Sequence, residues 1–245
     1  MLPLSDLLRA RTFPLVNVAL ITANFLVWIL YEIPGSDASI DRWSFYPCDV
    51  NGSCHAAEPW LLTWFTAMFM HASWDHILGN MLFLAIFGKN VEDAYGHLRY
   101  LLLYVAGGFA AMLTQAAMTL LAGSAADAQV PNLGASGAIA AVLGAYLVLY
   151  PTSRVLTWVV LWVVKIPAYV FLGGWFLYQL VEANWGLVSP GSNDGGVAFF
   201  AHVGGFAFGA LVTLLAKRMG WAEPQDYDAA ANTGMRTARP LWGLT

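Results

Sequence analysis

Charge is what this chain has least of. Only 11% of its 245 residues are Asp, Glu, Lys or Arg, against 59% apolar. An ordinary soluble domain is about a quarter charged. A soluble fold of this length has too little core to hide so much apolar surface, so the remaining solvent for it is lipid. Basic runs are absent as well. With a net charge of −4, a polyanionic partner is excluded and no nucleic acid is expected to bind. Cysteine is scarce: Cys48 and Cys54 are the whole complement. With no second pair there is no cysteine zinc site. The two form a disulfide if their loop meets an oxidising compartment, and otherwise stay free thiols. No internal repeat is evident.

What is present is a series of apolar runs. A transmembrane helix needs about 20 largely apolar residues, within a range of roughly 17–25. Six runs qualify or come close: Pro14–Ile33, Trp74–Lys89, Leu98–Leu121, Ala135–Tyr150, Pro167–Leu187 and Ala198–Arg218. Two shorter runs, Trp60–Met70 and Val155–Val164, read as interfacial or re-entrant segments. Their tryptophans (Trp60, Trp64, Trp158 and Trp162) suit the headgroup region. Arg9 and Arg11 precede the first run, but it is longer than a signal-peptide core and no small-residue cleavage site follows, so it reads as a retained anchor.

Basic residues fix the orientation. With the N-terminus cytoplasmic, the inner segments hold Arg9, Arg11, Lys89, Arg99, Arg154, Lys165, Lys217, Arg218, Arg236 and Arg239, and the outer segments hold only Arg42. That is the positive-inside pattern. The expected organisation is a cytoplasmic N-terminus over 1–13, a six-helix domain over 14–218 and a cytoplasmic polar tail over 219–245, poorly ordered after Gly220. The first outer loop, 34–73, is long and carries Asp37, Asp41, Asp49 and Glu58.

Polar residues inside spans are costly and are functional candidates. His76, Asn80, Ser136 and His202 lie near the starts of spans two, four and six, and the orientation puts all of them toward the outer face. Span four opens Gly134-Ala135-Ser136-Gly137, and span six opens Ala201-His202-Val203-Gly204-Gly205. Taken singly, each has a plain reading: a small-residue packing face, and a histidine bonded to a carbonyl. Together they say more. Gly205 and Gly209 make a Gly-x-x-x-Gly face, and Ala140 and Gly144 repeat that spacing in span four. Packing the two faces together brings Ser136 and His202 to similar depth, as a nucleophile and its base. His76 and Asn80, four apart, share a helix face. Their donors, with the Ser136 backbone N–H, suit an oxyanion hole. From Ser136 to Tyr150 is only roughly 22 Å at about 1.5 Å per residue. Span four therefore starts in a recess that water can reach. This chemistry needs no metal or cofactor, and none is expected.

Three segments carry a resemblance: His71-Ala-Ser-Trp-Asp-His76-Ile-Leu-Gly-Asn80, Gly134-Ala-Ser136-Gly137 and Ala201-His202-Val-Gly-Gly205-Phe-Ala-Phe-Gly209. In this order, on a six-helix frame with a long first outer loop, they resemble the rhomboid family of intramembrane serine proteases. The resemblance implies an all-α bundle of six transmembrane helices in the cell (inner or plasma) membrane. It implies Ser136 as nucleophile, His202 as base with no third carboxylate, and His76, Asn80 and the Ser136 N–H as oxyanion hole. Its substrates would be transmembrane helices cut near the outer face. It further implies a hairpin around Trp60–Met70 in the outer leaflet, a gate in span five with Trp175 and Phe176, and a structural carboxylate at Glu92. The chain departs from the family pattern at Leu62-Thr63, where Trp-Arg is common, at Gly79, where Phe is common, and at Ala140, where a Tyr commonly stacks on the histidine. Two other readings are a non-catalytic helix binder of the same fold and a metal-dependent enzyme or transporter built on His71, Asp75, His76 and His202. The second is weakened by spacing, since residues five apart diverge by roughly 140° on a regular helix.

Overall fold

The computed structural model describes residues 2–54, 57–188 and 198–225. Each of the six apolar runs falls in a helix. The first is α1 (Leu15–Val27), which passes through a π-helical turn at Trp28–Glu32 into α2 (Ile33–Trp43). The second is α4 (Trp74–Phe83), which passes through a π-helical turn at Leu84–Gly88 into α5 (Lys89–Tyr95). The others are α6 (His97–Ala122), α7 (Ser136–Leu149), α8 (Ala168–Val188) and α9 (Phe199–Arg218), with the short α3 (Trp60–Thr66) in the first loop. By length and composition, Leu15–Gly35, His97–Ala122 and Phe199–Arg218 can cross a membrane, while Ser136–Leu149 is apolar but shorter. Local chemistry sets the ends. The Ser73 hydroxyl accepts the His76 N–H and caps α4. Gly96, at φ +75°, lets the chain turn from α5 into α6.

The short helix α7 is the centre. It is buried from Gly137 through Tyr146, so its limited length is sheltered by its neighbours. The packing is backbone to backbone. A Cβ on Gly205 would meet the Gly137 carbonyl oxygen at 2.2 Å, one on Gly209 the Ala141 oxygen at 1.9 Å, and one on Gly144 the Phe206 oxygen at 2.1 Å. The face of α7 that receives Gly205 and Gly209 is therefore Gly137 and Ala141, one position on from the expected Ala140. Ala140 is buried in the main core instead.

The bundle is not all-α. Strands β1 (Leu2–Asp6), β2 (Arg154–Val159) and β3 (Trp162–Pro167) form an antiparallel sheet in that order. The run Val155–Val164 is thus a β-hairpin. Its Val, Thr and Trp content favours strand over helix, which was readable from the sequence. The turn is apolar and exposed, with Val160 at φ +53° and Leu161 84% accessible. Asp6, buried at the end of β1, pairs with Lys89 at 2.8 Å and accepts from Asn90 and Tyr146. These bonds tie the sheet to the start of α5 and the last turn of α7.

The N-terminal segment and the start of the tail also pack onto the bundle. Glu92, the expected structural carboxylate, accepts the backbone N–H groups of Val16 and Asn17 at 2.9 and 2.7 Å. It thereby caps the first turn of α1, where N–H groups otherwise lack partners. Asp93 accepts from Arg11 Nε at 2.7 Å, the Thr12 N–H at 2.9 Å and Gln225 Nε2 at 3.0 Å. The tail therefore stays packed through Gln225, and residues 226–245 lie outside the described residues. Burial pushes the Asp93 carboxyl up, but hydrogen bonds from Arg11, Thr12 and Gln225 outweigh it and hold the group below its ordinary value. A lowered carboxyl contributes stability above the unfolded value of about 3.9 and loses it as pH falls. Asp93→Ala should therefore free the N-terminal segment, read as faster trypsin cleavage after Arg9 or Arg11. Acid below about pH 4 should free the same segment of the parent chain, read there by faster amide hydrogen exchange over residues 7–13. Unchanged cleavage in the variant would show that β1 alone holds the segment.

The first loop is a structured layer. Cys48 and Cys54 form a disulfide. Phe45 and Asn132 exchange backbone hydrogen bonds at 3.0 and 2.7 Å, and Phe45 packs with Trp64, Ala67, Met112 and Ala116. Trp60 and Trp64 meet edge to face at 5.0 Å. These aromatics anchor the loop where Leu62-Thr63 replaces the usual Trp-Arg pair. Thr63 is buried and bonds the Trp60 carbonyl at 3.0 Å.

Candidate active site

Ser136 is the first residue of α7, so its backbone N–H has no partner inside the helix. His202 lies in the first turn of α9, whose own start is steadied by Gln115 Oε1 accepting the Ala201 N–H at 3.1 Å. The close packing of the two helices brings His202 Nε2 to 2.8 Å from Ser136 Oγ. The histidine is buried and the serine half-buried.

The other ring nitrogen is occupied too. His202 Nδ1 sits 2.9 Å from Oε1 of Gln179 on α8. The sequence reading missed Gln179, although the same rule that flagged Ser136 applies to any polar residue inside an apolar span. The ring also has aromatic neighbours, Trp175 at 5.8 Å and Phe199 at 6.4 Å. Trp175 supplies the support that Ala140 cannot, so the ring is not left bare by that departure. Phe176 stacks on Phe206 at 4.5 Å and ties α8 to α9.

Ser136 and His202 open into a cavity of about 670 Å³ whose lining includes His76, Asn80, Trp175 and Gln179. His76 and Asn80 stand one turn apart on α4. Gly134, at φ +116°, lies so near them that a Cβ there would meet the His76 ring at 2.6 Å and Asn80 Nδ2 at 3.6 Å. Only glycine allows that turn this close to α4. Asn80 Nδ2 is buried and makes no hydrogen bond among the described residues, a donor held ready beside the cavity. A Cβ on Gly79 would meet nothing within 4 Å, so glycine in place of the common Phe leaves room in the lining. His71 precedes α4 rather than lying on it, and its ring faces His76 at 5.0 Å.

The Rhomboid domain family matches residues 58–219, about two thirds of the chain, and the match covers Ser136, His202, His76 and Asn80. The chain belongs to the rhomboid family. Curated rhomboid relatives agree. It is 32% identical over 164 residues to RHOMBOID-like protein 1 of Arabidopsis thaliana, covering 67% of this chain and 36% of that protein. It is 31% identical over 143 residues to Rhomboid protein 1, mitochondrial, of Saccharomyces cerevisiae, covering 58% and 38%. It is 26% identical over 206 residues to the human Presenilin-associated rhomboid-like protein, mitochondrial, covering 82% and 48%. The chain thus spans between about a third and a half of the length of these rhomboid proteins.

Proposed function

We propose that this rhomboid chain is an intramembrane serine endopeptidase that cuts transmembrane helices near the outer face with a Ser136–His202 pair. The observation that carries this reading is the 2.8 Å approach of His202 Nε2 to Ser136 Oγ in a cavity walled by apolar helices. Neutral His202 takes the Ser136 proton as Oγ attacks the scissile carbonyl. The oxyanion forms beside the Ser136 N–H, with Asn80 Nδ2 and His76 as further donors. The imidazolium returns its proton to the leaving amine, and water then hydrolyses the acyl-enzyme. The reaction draws on this chain's own residues, without a metal or cofactor. The six helices are read as six spans with both termini cytoplasmic in the cell membrane, on the strength of the basic residues. The substrate enters from lipid past Trp175 and Phe176 on α8. The direct test is cleavage of a panel of single-span substrates by purified protein in liposomes, with and without EDTA. Cleavage that survives Ser136→Ala, or that EDTA abolishes and zinc restores, would overturn the reading.

The oxyanion donors have their own expected result. Asn80→Ala and His76→Ala should each lower kcat by about 10²–10³, with KM little changed, because one such donor acts mainly on the transition state. Full turnover in both variants would make these residues packing groups.

A further inference from the structure

We propose that Gln179 is the positioning residue for the base, holding His202 as the one tautomer that can accept the Ser136 proton and making its alignment depend on α8. This deepens the proteolytic reading and rests on it. Neutral imidazole carries its proton on one nitrogen or the other, and the hydrogen bond at one fixes the role of its partner. To take the serine proton, Nε2 must be bare, so the ring proton sits on Nδ1. A buried N–H without an acceptor is costly. The acceptor here is Gln179 Oε1 at 2.9 Å, on a side chain only 5% exposed. The opposite amide orientation would present N–H₂ to Nδ1, put the ring proton on Nε2 and leave the base blocked.

The amide does this without charge. A carboxylate in its place would stabilise the imidazolium, whereas Gln179 orients the ring and leaves its basicity to the surroundings. The titratable groups lining the cavity with His202 are Asp75 and His76, both of α4, and α7 and α8 add only neutral side chains to that lining. Trp175 lies one turn before Gln179 on the same face of α8, with its ring 5.8 Å from His202. Hydrogen bond and ring contact thus come from one helix. Any displacement of α8 that admits a substrate loosens both, and the base is aligned again only when α8 packs back.

The test compares the parent chain, Gln179→Leu and Gln179→Glu in liposomes on one single-span substrate across pH, with thermal unfolding as the control for folding. Gln179→Leu should lower kcat by roughly 10², less than the about 10⁴ lost when a protease histidine is held in the wrong tautomer, with KM within about twofold because substrate contacts are intact. Gln179→Glu keeps the acceptor, so it should retain activity at alkaline pH while the acidic limb of its pH–rate profile moves to higher pH. A folded Gln179→Leu with parental kcat and an unshifted profile overturns the inference while Ser136-dependent cleavage stands. If Gln179→Leu does not fold, the Gln179→Glu profile decides, and an unmoved acidic limb overturns the inference. Cleavage by the parent chain that does not require Ser136 overturns the proteolytic reading and this inference together.

Discussion

Replacing Ser136 by Ala is expected to lower cleavage of a single-span substrate by about 10⁴-fold or more, with thermal stability unchanged, and His202→Ala should lower cleavage nearly as far while also lowering the unfolding temperature. The two side chains meet at the reacting end through a 2.8 Å contact that opens onto the cavity. Without the hydroxyl no acyl-enzyme forms. Without the imidazole the hydroxyl keeps its proton at neutral pH and attacks poorly. Residues that act as one unit lose their whole effect when either is removed, so the double variant should be little worse than either single one. Losses that multiplied in the double variant would mean that the two groups act separately. Ser136→Ala should spare stability because Ser136 is only half-buried, whereas His202→Ala removes a buried ring and leaves Gln179 Oε1 without its partner. Initial rates in liposomes, with unfolding temperatures of the same preparations, provide the check.

The largest structural effect is expected at Gly205. A valine there would put Cβ 2.2 Å from the Gly137 carbonyl oxygen and 3.4 Å from the Ala111 methyl. The obstacle is backbone, which cannot rotate aside, so α9 must move off α7. Overpacking typically costs about 1–3 kcal/mol and occasionally more, and a clash between two backbones belongs at or beyond the upper end. The damage reaches the site as well, because Gly137 adjoins Ser136 and Gly205 lies one turn after His202. Gly205→Val should therefore lose both stability and cleavage. Leu211→Val, on the same helix at a side chain 62% exposed, should change stability by no more than about 0.5 kcal/mol. Equal unfolding temperatures and equal cleavage in the two variants would remove the basis for close packing of α7 and α9.

Much of the site was legible because lipid makes polarity conspicuous. Ser136, His202, His76 and Asn80 stand out against apolar neighbours, and the spacing of Gly205 and Gly209 announces a close helix contact. Gln179 follows the same rule but has no small-residue motif directly beside it to mark a partner. Its significance also depends on where α8 packs, which its own neighbours in sequence do not reveal. One residue of the partner face on α7 was misplaced for a related reason. Gly144 does meet α9, but Ala140 does not: once Ser136 faces His202 the turn of the helix presents Gly137, Ala141 and Gly144 to α9.

By itself, the sequence determined that this protein lives in a membrane, where its helices lie and which of its polar groups are candidates for chemistry. Those properties follow from composition and period along a continuous stretch of chain. Tertiary structure alone decided that residues 2–6 pair with the first strand of the hairpin that begins at Arg154, that Cys48 and Cys54 are joined, and that Trp175 supplies the ring contact missing at Ala140. It also decided that Ser136, His202 and Gln179 form one hydrogen-bonded line. Each of these is a meeting of segments far apart in sequence or of side chains whose direction depends on packing, and the free energy that selects it comes from burial and hydrogen bonding between elements.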